Sequence, residues 1–120
     1  VADYRPAHVA DQKMKKKDSD LSIPLSRTQD ILKYLGEHKS DNQLLIGFSM
    51  ETENLIANSR EKLTKKNADM ICANSICGNE TGFAVDTNRV TLITHDDVKE
   101  LPLCSKEDTA DLILDKATSL

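Results

Sequence analysis

The chain has 120 residues, of which 38% are hydrophobic and 30% charged, and its formal net charge is −4 at pH 7. This length suits one domain with a modest core, and the composition is that of a soluble globular protein. It excludes a membrane span, since no apolar run is long enough, and the negative charge disfavours general nucleic-acid binding.

The basic residues are concentrated near the start of the chain. Residues 1–17 carry five basic residues and two aspartates, which leaves about three net positive charges. Four of the basic residues lie close together: Lys13, Lys15, Lys16 and Lys17. Such a cluster can neutralise a small polyanion such as a nucleoside triphosphate, but it is too short to follow a long nucleic-acid backbone.

The first residues also bear on domain organisation. The chain has no initiator methionine and no signal-peptide pattern. Residues 1–3 have the character of the end of a buried strand, which implies neighbouring strands before them. We therefore expect this chain to be a fragment of a larger domain.

Three elements are predicted in the first half of the chain. In residues 21–26, "LSIPLS" alternates apolar and polar side chains, and its Pro24 predicts a strand at a sheet edge. Residues 28–39 have apolar side chains at helical spacing, and Gly36 is expected to end that helix. Residues 42–50, "NQLLIGFSM", form a continuous apolar run that is typical of a strand in a parallel sheet.

The next segment gives the fold class. Thr52 is predicted to cap a helix over residues 53–67, and residues 68–74, "ADMICAN", predict the following strand. The buried face of that helix is expected to comprise Leu55, Ile56, Ser59 and Leu63. A strand, a helix and a strand in this order require a crossover, so we expect a Rossmann-like parallel α/β sheet with flanking helices. Such sheets bind ligands at the carboxyl ends of their strands.

The last third contains a predicted loop, a strand and a helix. Residues 75–88 are rich in Gly, Asn, Ser and Thr and predict a loop, and "RVTLIT" at 89–94 predicts a strand. Ser105 is predicted to cap a final helix over residues 106–120, with Glu107 and Asp108 in its first turn.

Three residues lie where the predicted sheet would bind a ligand: Asp3, Phe48 and Asn74. Asp3 can hold ribose hydroxyls or a metal ion, or cap a turn. Phe48 can stack on a base or close the core, and the core is favoured. Asn74 can bind a substrate amide or satisfy a turn, and the turn is favoured.

Lysines and cysteines complete the candidates. Lys62 and Lys66 are four residues apart on a helix, so both ammonium groups can reach one phosphate chain, although solvated surface lysines share this spacing. The three cysteines, an odd number, include Cys72 within an apolar run and favour reduced, cytoplasmic thiols. No C-x-x-C or H-x-x-x-H spacing supports a metal site, and no phosphate-loop, dinucleotide-binding or nucleophile-elbow motif is present.

Several linked motifs resemble one family. "VADYRP", "QKMKKK", "LIGFSMETENL", "REKLTKKNADMICAN" and "GFAVDTNRVTLI", in this order, are similar to the carboxyl-terminal half of phosphopantothenoylcysteine synthetase, also called phosphopantothenate-cysteine ligase. In bacteria it is usually the second domain of a bifunctional flavoprotein of coenzyme A biosynthesis. The resemblance covers nearly the whole chain, residues 1–120, as the C-terminal part of the synthetase domain.

The resemblance implies an enzyme that uses CTP and Mg²⁺ to activate 4'-phosphopantothenate as an acyl-cytidylate, with release of pyrophosphate. Cysteine then attacks and CMP leaves. It implies a cytoplasmic homodimer, and FMN only in the N-terminal domain of a bifunctional parent, outside these residues. The family's Gly-rich nucleotide loop and catalytic asparagine also lie outside them, so the isolated chain is expected to be inactive.

The resemblance also implies roles for individual residues. Its nucleotide contacts correspond to Asp3, Lys13, Phe48, Lys62 and Lys66. Lys13 is also implied in the later, cysteine-dependent step and is the implied catalytic residue. Residues 13–26 correspond to a flap and dimerisation segment in which Lys15, Lys16 and Lys17 close over the triphosphate and exclude water.

The sequence departs from the family at two places. "GFSMET" stands where "GFAAET" is common, so Ser49 and Met50 alter the surroundings of Phe48, and "TQDI" at 28–31 stands where "NPDI" is usual. Eukaryotic relatives prefer ATP, so the base remains open. The alternatives are a nucleotide-binding α/β module without catalysis, a nicotinamide-dependent dehydrogenase, which the absent glycine fingerprint disfavours, and a nucleic-acid binder that uses the lysines.

Overall fold

The computed structural model describes residues 1–75 and 87–120, so Cys77 and most of the predicted loop lie outside the described residues. The chain divides into two units, Val1–Ile31 and Leu32–Leu120. No helix of the described ranges is long and apolar enough to cross a membrane.

The first unit is built around one pair of short strands. β1 (Tyr4–Pro6) pairs antiparallel with β2 (Leu25–Arg27), in a register that places Arg5 opposite Ser26. The Thr28 N–H and hydroxyl donate to the carbonyl oxygens of Asp3 and Ala2, at 2.9 and 2.6 Å. Residues 7–24 contain neither helix nor strand. The predicted edge strand at 21–26 is therefore present only at its carboxyl end.

The second unit contains a four-stranded mixed sheet. Its strands are β3 (Ile46–Glu51), β4 (Met70–Ser75), β6 (Val90–Thr94) and β7 (Val98–Glu100), in the order β3-β4-β6-β7. A separate antiparallel pair joins β5 (Thr87–Asn88) to β8 (Cys104–Ser105). β3 and β4 are parallel, as their crossover helix requires, whereas β4–β6 and β6–β7 are antiparallel.

Helices cover both faces of this sheet. They are α1 (Ile31–His38), α2 (Leu55–Lys65) and α3 (Lys106–Thr118). Because successive strand residues point to opposite faces, Ile71 and Ala73 pack with Leu63 of α2, whereas Met70 and Cys72 pack with Ile113 of α3. The predicted α/β sheet with flanking helices is confirmed, with parallel pairing confined to β3 and β4 among the described strands.

Two helix boundaries differ from the prediction, one because of a close packing contact and one because of a local backbone conformation. Gly36 lies inside α1, where a Cβ would stand 1.7 Å from the Lys66 carbonyl oxygen, so it serves close packing and does not end the helix. α2 begins after Asn54, which has the left-handed backbone conformation (φ 50°), and not at Thr52. Ile56, predicted to be buried, is exposed, whereas Ser59 is buried.

The end of the chain agrees with the prediction. The Asp108 N–H donates to Ser105 Oγ at 3.0 Å, so Ser105 is the N-cap of α3, with Glu107 and Asp108 in the first turn. Cys72 is fully buried, and burial raises the pKa of its thiol to about 12. It is the small core residue that the apolar run predicted.

A partly buried ion pair joins Lys39, directly after α1, to Asp69, directly before β4. Asp69 Oδ2 accepts hydrogen bonds from the Lys39 ammonium at 2.8 Å and from the Leu45 N–H at 2.7 Å. Burial raises the pKa of Asp69, but these two donors outweigh it and hold the pKa below its ordinary value of 3.8. The folded state therefore favours the charged carboxylate.

We expect Asp69→Asn to remove part of the acid sensitivity of folding. Because the folded pKa is lowered, the charged carboxylate stabilises the fold above pH 3.8, and this contribution is lost as the pH falls through that value towards the folded pKa. Urea unfolding at pH 7, 5 and 3 measures the loss, which is expected to be smaller in the variant. Asp111→Asn, on an exposed position of α3, is the control, and an equal loss in wild type and Asp69→Asn would contradict the assignment.

Candidate functional site

The carboxyl end of the parallel pair β3–β4 carries a polar cluster. Glu51, the last residue of β3, lies opposite Ser75, and its side chain is only 10% exposed. Lys62 Nζ donates to Glu51 Oε1 at 2.5 Å, and Asn58 Nδ2 donates to Glu51 Oε2 at 3.2 Å. We call Glu51, Asn58 and Lys62 the Glu51 cluster.

Helical spacing and close packing build this cluster. Asn58 and Lys62 are four residues apart on α2 and so share a face, and between them Ser59 is buried with its Oγ 3.3 Å from Ser49 Oγ. Two small side chains at this contact let α2 lie close to β3. Asn58 Nδ2 also lies within hydrogen-bonding distance, 3.2 Å, of the Glu53 carbonyl oxygen, which ties the cluster to the turn before α2.

The cluster pairs one carboxylate with one ammonium, and the two differ in their exposure to solvent. Glu51 is nearly buried, whereas the Lys62 side chain is 43% exposed. The carboxylate therefore fixes the ammonium in place from inside the protein, and the ammonium remains accessible from solvent. A fixed and accessible ammonium at the ligand-binding edge of a parallel strand pair can stabilise a phosphate group.

Phe48 lies on the other face of the sheet. In β3, Gly47, Ser49 and Glu51 are buried towards α2, and the alternate residues Phe48 and Met50 are exposed, Phe48 by 66%. The expectation that Phe48 closes the core is therefore wrong. It also lies in the third position of the strand, not at its end, so Phe48 and Lys62 are on opposite faces of one strand pair.

Lys66 lies one helical turn beyond Lys62, as their spacing predicted. It is the C-cap of α2, and its backbone N–H donates to the carbonyl oxygen of Lys62, whereas the N–H of the following Asn67 donates to that of Thr64. Its own carbonyl packs against Gly36. Lys66 is therefore farther than Lys62 from the carboxyl end of β3, although the two side chains share one side of the helix.

The remaining candidates belong to the first unit. Asp3 precedes β1, and its carbonyl oxygen accepts from Thr28. Lys13 is exposed. Lys15, Lys16 and Lys17 line an open pocket of about 380 Å³, together with Met14, Ser19, Asp20 and Leu21. The predicted nucleotide contacts are thus divided between the two units.

Two members of the Glu51 cluster were not predicted from the sequence. Glu51 is an acidic residue that directly follows a continuous apolar run, and this position at a predicted strand end is the signal that could have identified it. Asn58 precedes Lys62 by four residues, so it could have been placed on the same helical face. What each side chain binds depends on the packing of α2 against β3.

The described residues do not form a resident metal centre. Across residues 1–75 and 87–120, no three His, Cys, Asp or Glu side chains come together to hold a metal ion. Glu51 is already engaged by Lys62 and Asn58.

Comparison with known proteins identifies the family. Residues 1–120 match the family DFP, "DNA/pantothenate metabolism flavoprotein C-terminal domain". The chain is 46% identical over 121 residues to the coenzyme A biosynthesis bifunctional protein CoaBC of Bacillus subtilis, covering all of this chain and 30% of that protein. It is also 39% identical to a cysteine/cysteine sulfinic acid decarboxylase from an unknown prokaryotic organism, with coverage of 100% and 34%. The chain thus spans about a third of the curated relatives that it matches.

Solved structures agree on the fold. The crystal structure of the C-terminal domain of CoaBC superposes with a TM-score of 0.73 at 43% identity, over 98% of this chain and 48% of that one. The DNA/pantothenate metabolism flavoprotein from Streptococcus pneumoniae has a TM-score of 0.70 at 24% identity, over 89% and 45%. By sequence and by fold, this chain belongs to the family of DNA/pantothenate metabolism flavoprotein C-terminal domains.

Proposed function

We propose that this chain is the C-terminal part of a phosphopantothenate-cysteine ligase of coenzyme A biosynthesis. The observation that carries the proposal is the exposed ammonium of Lys62, which the nearly buried Glu51 holds at the ligand-binding edge of the sheet. The identity to CoaBC over the full chain supports the choice of reaction.

The reaction has two steps, and each moves charge onto phosphate oxygens. A carboxylate oxygen of 4'-phosphopantothenate attacks the α-phosphorus of CTP, and pyrophosphate leaves with the electron pair of the broken P–O bond. The cysteine amine then attacks the acyl carbon, loses a proton to form the amide, and CMP leaves. Lys62 and Lys66 neutralise the phosphate charge, and Lys13 acts on both steps.

The other proposed contacts complete the site. Asp3 binds the ribose, and Phe48 contacts the nucleotide. Lys15, Lys16 and Lys17 close over the phosphates and exclude water that would hydrolyse the activated acyl group. Mg²⁺ enters with CTP and supplies charge neutralisation at the phosphates.

The assembly is part of the same proposal. Residues 13–26 pair with their copy in a homodimer, which would cover the exposed apolar residues Leu21, Ile23 and Leu25. FMN belongs to another domain of a bifunctional parent. The enzyme works in the cytoplasm, where free thiols such as Cys72 and Cys104 stay reduced.

The test uses a hybrid protein in which residues 1–120 replace the matching region of the Bacillus subtilis relative, and we refer to this protein as the hybrid. We expect the hybrid to release pyrophosphate from CTP only when 4'-phosphopantothenate is present, and to form the amide when cysteine is added. A hybrid that binds CTP but releases no pyrophosphate would contradict the proposal and favour a nucleotide-binding module without catalysis.

A further inference from the structure

One buried polar atom in the described structure has no partner. The side-chain carbonyl oxygen of Asn74, Oδ1, is shielded from solvent and accepts no hydrogen bond within residues 1–75 and 87–120. Buried acceptors are normally paired, because an unpaired one loses its hydrogen bonds to water without replacement. An unpaired acceptor of this kind calls for an explanation, and a hydrogen-bond donor supplied by a ligand is one.

The position of Asn74 in the sheet indicates a ligand-binding role. It is the penultimate residue of β4, at the carboxyl end of the parallel pair β3–β4, where open α/β sheets bind ligands. The turn that was favoured for it from the sequence is absent at this position, since Asn74 is within the strand and pairs with Met50 and Val90 in the neighbouring strands.

The surroundings of Asn74 restrict what the ligand can be. Strand alternation places Asn74 on the same face as Cys72, and the register places Phe48 opposite Cys72 and Met50 opposite Asn74. Phe48 and Met50 are both exposed there. Phe48 is thus two residues before the position opposite Asn74, on the same face of the sheet. An exposed aromatic ring near a buried acceptor suits a flat ring that stacks on Phe48 and carries an N–H donor at its edge.

We propose that Asn74 recognises the base of the nucleotide by accepting a hydrogen bond from its exocyclic amino group. Cytosine and adenine carry such a group, whereas uracil has a carbonyl oxygen at the same position as the cytosine amine. With uracil, Asn74 Oδ1 would face another acceptor, and pairing would require the side-chain amide to turn over and offer Nδ2 as a donor instead. Asn74 thereby selects CTP over UTP, an inference that rests on the proposed function.

The test compares CTP with UTP in the hybrid. We expect Asn74→Leu, which removes the acceptor at nearly the same volume, to lower the ratio of kcat/KM for CTP to that for UTP at least tenfold. Asn74→Asp keeps an acceptor oxygen and is expected to retain the preference for CTP. Thr91→Val is the matched control, because it removes a hydroxyl from the same end of the sheet on the opposite face, and it should leave the ratio unchanged.

Stability measurements separate recognition from a structural role. If Asn74 serves a ligand, Asn74→Leu without nucleotide keeps or raises the thermal midpoint, since an unpaired acceptor is removed. A lowered midpoint with equal losses for CTP and UTP would overturn the inference and assign Asn74 a structural partner. If the wild-type hybrid is active with CTP and Asn74→Leu leaves the ratio of kcat/KM for CTP to that for UTP unchanged, the inference is overturned but the proposed function is not. A wild-type hybrid inactive with both nucleotides overturns the proposed function as well.

Discussion

Gly36→Ala is expected to destabilise the fold strongly, although alanine is the better helix former. Helix propensity alone predicts a gain of about 1 kcal/mol for this change. A Cβ at Gly36, however, would stand 1.7 Å from the Lys66 carbonyl oxygen and 2.8 Å from its carbonyl carbon. Backbone cannot rotate away as a flexible side chain can, so α1 must move away from the end of α2.

That movement has a second cost. Asn67 Nδ2 donates to the Gly36 carbonyl oxygen at 2.8 Å, a hydrogen bond worth about 1 kcal/mol that would be stretched or lost. We expect a net loss of about 3 kcal/mol in the free energy of unfolding, the upper end for an overpacked site. Urea unfolding measures this value for the 120-residue chain.

The neighbouring residue supplies the control for Gly36→Ala. Glu37→Ala changes the adjacent position of α1 and removes only an exposed pair with Lys33, so it is expected to shift stability by less than about 0.5 kcal/mol. A stabilised Gly36→Ala variant would show that helix propensity prevails over the close contact.

Lys62→Ala is expected to cause the largest loss of activity among the changes that we consider in the second unit. A charge-assisted hydrogen bond to phosphate contributes about 1.5–3 kcal/mol, which corresponds to a roughly 10- to 150-fold loss in kcat/KM for CTP. The measurement is pyrophosphate release by the hybrid over a range of CTP concentrations.

Lys65→Ala is a closely matched control for Lys62→Ala. Both lysines lie in the last turn of α2, where a positive charge interacts favourably with the negative end of the helix dipole. Lys65, however, is exposed and pairs with Glu61. Its activity is expected to equal that of the wild type. Equal kcat/KM values for Lys62→Ala and Lys65→Ala would contradict the assignment of Lys62 to phosphate binding.

A double variant separates folding from chemistry in this experiment. Lys62→Ala leaves the nearly buried Glu51 carboxylate without its ammonium partner, which itself destabilises the protein. Combining it with Glu51→Gln removes that unpaired charge. We expect the double variant to regain thermal stability but not ligation, since the ammonium is still absent.

The apolar patterns were sufficient to predict the main elements of the second unit. Continuous apolar runs predicted β3 and β4, and the pattern of Ser105 followed by Glu107 and Asp108 predicted the start of α3. These features are local, because each depends on residues within one or two turns or within one strand. The short strand β7 was not predicted, since three residues with one half-buried side chain give no period.

Features that depend on distant residues could not be predicted in this way. The role of Gly36 is set by Lys66, which is thirty positions later in the chain. The start of α2 is set locally, by the left-handed backbone of Asn54, a conformation that the hydrophobic pattern does not reveal and that residues other than Gly, Asn, Asp and His rarely adopt. The antiparallel pairing of β6 with β4 was not predicted either, because the pattern of one strand does not show the direction of its neighbour.

The candidate site shows the same division. The family motifs identified Lys62 and Lys66 by position, and their common helical face followed from their spacing. The sequence could not reveal that Glu51 holds Lys62, because that contact joins the end of a strand to the third turn of the next helix. It also could not place Phe48 on the face away from α2, since a continuous apolar run does not show which side is covered.

The place of β3 at one edge of the described sheet affects how this chain behaves when it is produced alone. A six-residue strand that presents the apolar side chains of Phe48 and Met50 beside a row of backbone donors and acceptors that pairs with no other described strand is a template for strand addition. Aggregation of the isolated chain is therefore expected to begin at β3. Lysine at position 50, on the exposed face, is the substitution best suited to suppress it without disturbing the face that packs on α2.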